Sequence, residues 1–100
     1  MTSKFEQKLR YGFIGCGMMG QEHLRNLAMI KGAVAAAIYE PDSEMQKLAA
    51  SFAPEATFEG SLDALLVRDD IDAWVITSPN QCHAEQLAAI VANNPKPVLL

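Results

Sequence analysis

Between Tyr11 and Ala28 the chain reads YGFIGCGMMGQEHLRNLA, an apolar run that meets Gly15, Gly17 and Gly20 in G-x-G-x-x-G spacing and then takes on a helical period. That pattern suits the diphosphate of a dinucleotide. Gly15 permits a tight turn out of a strand, Gly17 lets the backbone approach a pyrophosphate where a Cβ would intrude, and Gly20 lets helix and strand pack closely. A helix beginning near Met18 turns unpaired N–H groups and a partial positive charge toward the phosphates. Glycine spacing alone recurs by accident. Here a strand is predicted before it and a helix after it, and an acidic residue, Glu40, stands twenty positions beyond Gly20.

Glu40 closes the second predicted strand, where a carboxylate can accept hydrogen bonds from both adenine-ribose hydroxyls. The same charge repels a 2′-phosphate, by about 4 kcal/mol at about 4 Å and an effective dielectric of about 20. The nearest downstream base is Lys47, inside a predicted helix, so NAD is expected in preference to NADP. The plain alternative is a solvated strand end before Pro41.

Ser78, Pro79 and Asn80 follow the fourth predicted strand, beside the first, where open α/β sheets place their ligands. They are expected to line the cofactor crevice, or to form a turn with Asn80 as a helix cap. His83 shares a helix face with Leu87 and Ile90, and its spacing fits a packed histidine as well as a cofactor-side one. His23, on the face of Leu27, reads as core, as does Trp74. Met18 and Met19 either touch the cofactor or fill space under the loop. Cys16 occupies a loop position that wants a small residue. Cys16, Cys82, His23 and His83 form no C-x-x-C or H-x-x-x-H pair, so neither a disulfide nor a metal site is expected.

Holding such a site requires a sheet. Strands are predicted over residues 8–15, 33–39, 57–58, 71–77 and 98–100. The first helix runs from Met18 to a C-cap at Gly32. The second is capped by Asp42 or Ser43, with Gln46 completing a capping box, and buries Met45, Leu48, Ala49 and Phe52 before Pro54. Ser61 caps a short third helix carrying Leu62, Leu65 and Leu66. The fourth starts at Asn80, bears Leu87, Ala88, Ile90 and Val91, and stops at Asn93-Asn94-Pro95. Strict alternation of strand and helix implies an α/β Rossmann fold, a doubly wound parallel sheet with helices on both faces. The alanines of the second strand leave space for them.

With 100 residues, half of them hydrophobic, and a net charge of −4, the composition is that of an ordinary globular domain. No basic patch points to nucleic acid, no apolar run approaches the roughly 18 residues of a membrane span, and MTSKFEQKLR is no secretory signal. A cytoplasmic protein without nucleic-acid or membrane partners is expected. Residues 1–7 read as a loose leader. The text ends inside the fifth predicted strand, so residues 1–100 are expected to be the dinucleotide-binding domain of a longer, two-domain protein.

Taken together, GCGMMGQEH over residues 15–23, Glu40-Pro41, and DAWVITSPNQCH over residues 72–83 closely resemble the N-terminal half of the glucose-fructose oxidoreductase/inositol dehydrogenase (Gfo/Idh/MocA) family. The resemblance implies an NAD(P)-dependent oxidoreductase of a sugar, cyclitol or related polyol, and a cofactor-side role for His83. It implies a second domain, an open and largely antiparallel sheet that carries the substrate site and a homo-oligomer contact. The family's catalytic lysine, in a Glu-Lys-Pro motif, and its Asp-x-x-x-His pair would follow Leu100, so no catalytic residue is expected within the chain, which alone would be inactive. Three departures stand out. Glu40 replaces the commoner aspartate, Ser78 the usual threonine, and Asn94-Pro95 a glycine turn, with Asn94 expected to take the left-handed conformation. Two other readings stay open: a non-catalytic NAD(H)-binding regulatory module, and a reductase of a dihydrodiol or pigment.

Overall fold

A computed structural model describes residues 8–99. The expected leader and Leu100 lie outside them. Five parallel strands, β1 (Leu9–Ile14), β2 (Ala33–Tyr39), β3 (Thr57–Phe58), β4 (Ala73–Ile76) and β5 (Val98–Leu99), form one sheet in the order β3-β2-β1-β4-β5. Helices α1 (Met18–Ala28), α2 (Ser43–Phe52), α3 (Leu62–Leu66) and α4 (His83–Asn93) make the connections. This is the expected doubly wound arrangement.

Burial on both faces explains why the central strands are apolar without interruption. Phe13, Cys16, Leu24, Ala35, Ile38, Ala49, Ala53 and Val75 pack on the side covered by α1 and α2, while Ile14, Ala36, Ala37, Leu65, Leu66, Ile71, Trp74, Ile76 and Ile90 pack on the side of α3 and α4. Successive residues of a strand should alternate between faces, yet Ala36 and Ala37 serve the same one. The register supplies the reason: Tyr11 pairs with Ala35 but Gly12 with Ala37, so an irregularity there shifts the alternation by one residue.

Several boundaries differ from expectation. Helix α1 stops at Ala28, where Met29 and Ile30 bond back to Asn26 and Leu27 in a tightened last turn. Gly32 is therefore not its cap; with φ of 88° it turns the chain into β2, and its carbonyl accepts from Leu9 N–H. Asp42, not Ser43, caps α2, accepting from Glu44 and Met45 N–H at 2.9 and 3.1 Å. The capping box is accordingly absent, and Gln46 reaches the Glu40 carbonyl instead. Leu48 is exposed, so the buried stripe of α2 is narrower than its periodicity promised. Asn94 is not left-handed (φ −159°); its amide ties the Leu66 and Arg68 carbonyls, and its own carbonyl accepts from the Trp74 indole.

Candidate functional site

Strands β1 and β4 are neighbours whose connections leave in opposite directions, and it is at the carboxyl ends of such a switch point that open α/β sheets place their ligands. Every residue singled out as a site candidate lies at the carboxyl end of β1, β2 or β4. A groove of about 250 Å³ at the other end of the sheet, beside Lys8, Leu27, Phe52 and Glu55, contains none of them.

Gly15 leaves β1 with φ of 84°, its N–H donating to the Tyr39 carbonyl at 2.9 Å, and a Cβ there would stand 2.6 Å from the Ser78 backbone. A Cβ at Gly20 would stand 2.6 Å from Thr77 Oγ1 and 3.1 Å from the Gly15 carbonyl. Both glycines are thus required by the protein's own packing. Gly17 differs: its backbone is extended (φ −72°, ψ −158°), and a Cβ would meet nothing within 4 Å. The space before it faces outward.

Helix α1 begins at that open point. Its N-cap, Gly17, offers no side chain, and its first turn carries no acid, whereas Asp42 caps α2 and Ser61 caps α3; α4 is entered through a 3-10 turn. Gln21 N–H is the first to bond back, to the Gly17 carbonyl. The amides of Gly17, Met18, Met19 and Gly20 have no intrahelical acceptors and carry the positive end of the helix dipole. Met18 and Met19 are 83% and 61% exposed, so they do not fill space beneath the loop. Cys16 does fill it, fully buried against the α1–α2 side of the core, and burial, with the nearby Glu40 carboxylate, pushes its thiol up to about 12.

Glu40 is not a solvated strand end. It is 7% exposed; Oε1 accepts from Cys16 N–H at 2.6 Å and Oε2 from Asp42 N–H at 2.9 Å. Beyond the end of β4, Ser78 is half-buried, with its hydroxyl donating to Gln86 Oε1, while Pro79 and Asn80 are exposed. Asn80 does not cap α4: it opens a 3-10 turn, Asn80–Cys82, that leads into the helix. His83 Nε2 lies 2.7 Å from the Ser78 carbonyl. A carbonyl only accepts, so Nε2 carries the hydrogen. His83 is therefore a partner of the turn as well as part of the α4 face.

Sequence reasoning passed over Thr77. Its hydroxyl donates to the Gly15 carbonyl at 2.5 Å and its N–H to the Ile14 carbonyl at 2.9 Å, so it joins the end of β4 to the glycine loop. Gln86 was missed likewise, since no motif marks it, and Gln46 was expected only in a capping box; their contacts with the Glu40 carbonyl and the Ser78 hydroxyl give them their roles. Among the described residues no group of three or more His, Cys, Asp or Glu side chains is placed to hold a metal ion, and no helix is long and apolar enough to cross a membrane.

Residues 9–100 match the model of an oxidoreductase family with an NAD-binding Rossmann fold, Gfo/Idh/MocA. The chain is 37% identical over 90 residues to an inositol 2-dehydrogenase of Acidiphilium cryptum, the match covering 87% of this chain and 27% of that protein. The crystal structure of myo-inositol dehydrogenase from Lactobacillus casei with NAD(H) and myo-inositol superposes with a TM-score of 0.84 at 26% identity, over 92% of this chain and 27% of that one. A 3-ketoreductase from Actinomadura kijaniata in complex with NADP superposes with a TM-score of 0.78 at 29% identity, over 93% of this chain and 29% of that one. The chain spans about a quarter of the length of these relatives.

Proposed function

We propose, since the chain belongs to the Gfo/Idh/MocA oxidoreductase family, that it is the cofactor-binding part of an NAD-dependent dehydrogenase acting on a hydroxyl of a cyclitol or related polyol. Bound NAD would supply the hydride acceptor. The residues of this chain would bind and orient it. The amides of Gly17, Met18 and Met19 hold the diphosphate, with no Cβ at Gly17 to keep it away. Glu40 has spent one lone pair of each carboxylate oxygen on backbone amides and keeps two for ribose hydroxyls, while its charge disfavours a 2′-phosphate. Ser78, Pro79 and Asn80 border the crevice, steadied by His83, and the exposed side chains of Met18 and Met19 flank its entrance.

The observation that carries this reading is the empty space at Gly17. A glycine with an ordinary φ and no neighbour for its Cβ is not required by the fold. Gly60 is equally open, but it adjoins a helix capped by Ser61, whereas Gly17 heads a helix with no side-chain cap, where a group approaching from outside gives the missing Cβ a use. Gly17→Ala in the intact protein is therefore expected to leave the unfolding free energy from urea melts within about 0.5 kcal/mol of wild type and to weaken NAD binding by about tenfold or more, read by calorimetric titration. Unchanged NAD affinity would refute the reading.

The substrate-bearing second domain, the homo-oligomer it forms and a cytoplasmic location belong to the same proposal, supported by the family and by the quarter-length coverage of the relatives. Incubating the intact protein with NAD and a panel of inositols, aldoses and diols tests the substrate class by the appearance of NADH absorbance. Titration with NADP in parallel tests the cofactor, since a family neighbour holds NADP.

A further inference from the structure

We propose that Glu40 is a positioning residue for the glycine loop, holding the Cys16 amide and thereby fixing the direction in which the amides of Gly17, Met18 and Met19 point. This rests on the dinucleotide reading above and gives Glu40 a task separate from recognising a ribose.

Glu40 is the one charged residue buried among the described residues, and it forms no ion pair there. Its charge is met by backbone. Cys16 N–H donates to Oε1 at 2.6 Å, just ahead of α1, and Asp42 N–H donates to Oε2 at 2.9 Å, at the N-cap of α2. The carboxylate thus sits between the positive ends of two helices, which offsets the cost of burying it. It is fixed from behind as well, because Gln46 Nε2 donates to the Glu40 carbonyl at 2.5 Å.

Along the loop the amides change function at one point. Gly15 N–H is taken by the Tyr39 carbonyl and Cys16 N–H by Glu40, both from the end of β2. Among the described residues the amides of Gly17, Met18, Met19 and Gly20 meet no acceptor, and the helical bonding begins with Gln21 N–H to the Gly17 carbonyl. Cys16 lies between two glycines, the residues that restrict a backbone least, and a Cβ at Gly17 would touch nothing. The loop therefore lacks steric support on its ligand side, and a charge-assisted hydrogen bond, about twice as strong as a neutral one, supplies the tether. Glutamine cannot replace it: its single oxygen accepts from one amide and its NH2 would confront the other.

The test is a cycle between residue and ligand in the intact protein, measuring the affinities of ADP and 2′,3′-dideoxy-ADP for wild type and for Glu40→Gln by calorimetry, well below the thermal midpoint of either. A carboxylate that served only the ribose would leave dideoxy-ADP binding untouched by the substitution. Positioning requires both ligands to lose about tenfold or more, the worth of a hydrogen bond to a charged group. Dideoxy-ADP affinity that is unchanged or improved in Glu40→Gln overturns the proposal. Amide hydrogen exchange at Cys16 reads the tether without any ligand: slow exchange is expected in wild type, at least tenfold faster exchange in the variant. A Cys16 amide in wild type that exchanges like an exposed loop amide overturns the proposal even if the variant fails to fold. Failure of wild type to bind either ADP or NAD would instead strike the dinucleotide reading, leaving the Cys16 exchange rate to judge the tether.

Discussion

Gly15, Gly17 and Gly20 belong to one motif but are glycines for different reasons, separated by what a Cβ would meet: the Ser78 backbone, open space and Thr77 Oγ1. Thr77 touches two of the three glycines. Its hydroxyl holds the Gly15 carbonyl and lies where a side chain at position 20 would go. Thr77→Val keeps the shape and removes the donor, so it is expected to cost about 1 kcal/mol in urea unfolding and to weaken NAD binding severalfold by loosening the turn. A variant as stable as wild type would show that the Gly15 carbonyl finds another partner. At the same scale, the glycines, Glu40 and the Ser78-Pro79-Asn80 turn were legible from type and spacing. Thr77 was not, because its partner is 62 residues away and threonine at a strand end is chemically unremarked.

Between elements, an ionic brace joins the start of β1 to the segment ahead of β4, on the side away from the crevice. Arg68 reaches Asp70 and Glu59 at 2.7 Å each, and Arg10 reaches Asp70 at 2.9 Å. Hydrogen bonding to Arg68, then to Arg10, outweighs partial burial and holds the Asp70 carboxyl down at about 2, against 3.8 for an ordinary aspartate. Its native value is lowered, so its stabilisation is complete above pH 3.8 and is lost as pH falls toward about 2. The Asp70 side chain is 36% exposed, and solvent screening limits the contribution to about 1 kcal/mol or less. Asp70→Asn should therefore be less stable than wild type at pH 7 by up to about that amount, with the difference shrinking as pH falls from 3.8 toward about 2 in paired urea melts. A difference as large at pH 2 as at pH 7 would assign the effect to packing. Element types were readable from periodicity, but element ends were not. Gly32 as a cap and Asn80 as a cap both rest on local preference, and the structure ends α1 earlier and begins α4 later because hydrogen bonds available in three dimensions favour it.

For the whole molecule, the strand order places Gly15–Gly20, Glu40 and Ser78–His83 at one end of the sheet, and a ligand held by all of them would bind only the folded state. NAD at about a hundred times its dissociation constant should then add about 2.7 kcal/mol to stability, seen as a raised thermal midpoint of the intact protein. At a tenfold weaker affinity the same NAD concentration should add only about 1.4 kcal/mol to Gly17→Ala, and an equal rise in both would place NAD elsewhere. What the amino-acid sequence determined by itself is whatever depends on neighbours along the chain: the alternation of strand and helix, hence the doubly wound sheet, and the glycine spacing that leaves α1 without a side-chain cap. Only the tertiary structure decided how distant residues satisfy one another. Glu40, expected at a ribose, grips the Cys16 amide 24 residues before it. His83, whose spacing fits core and cofactor alike, is bonded to the Ser78 carbonyl. The physical reason is that periodicity records which side of an element is buried, whereas the partner of a buried polar group is fixed by strand order and register, which bring together residues that no local pattern connects.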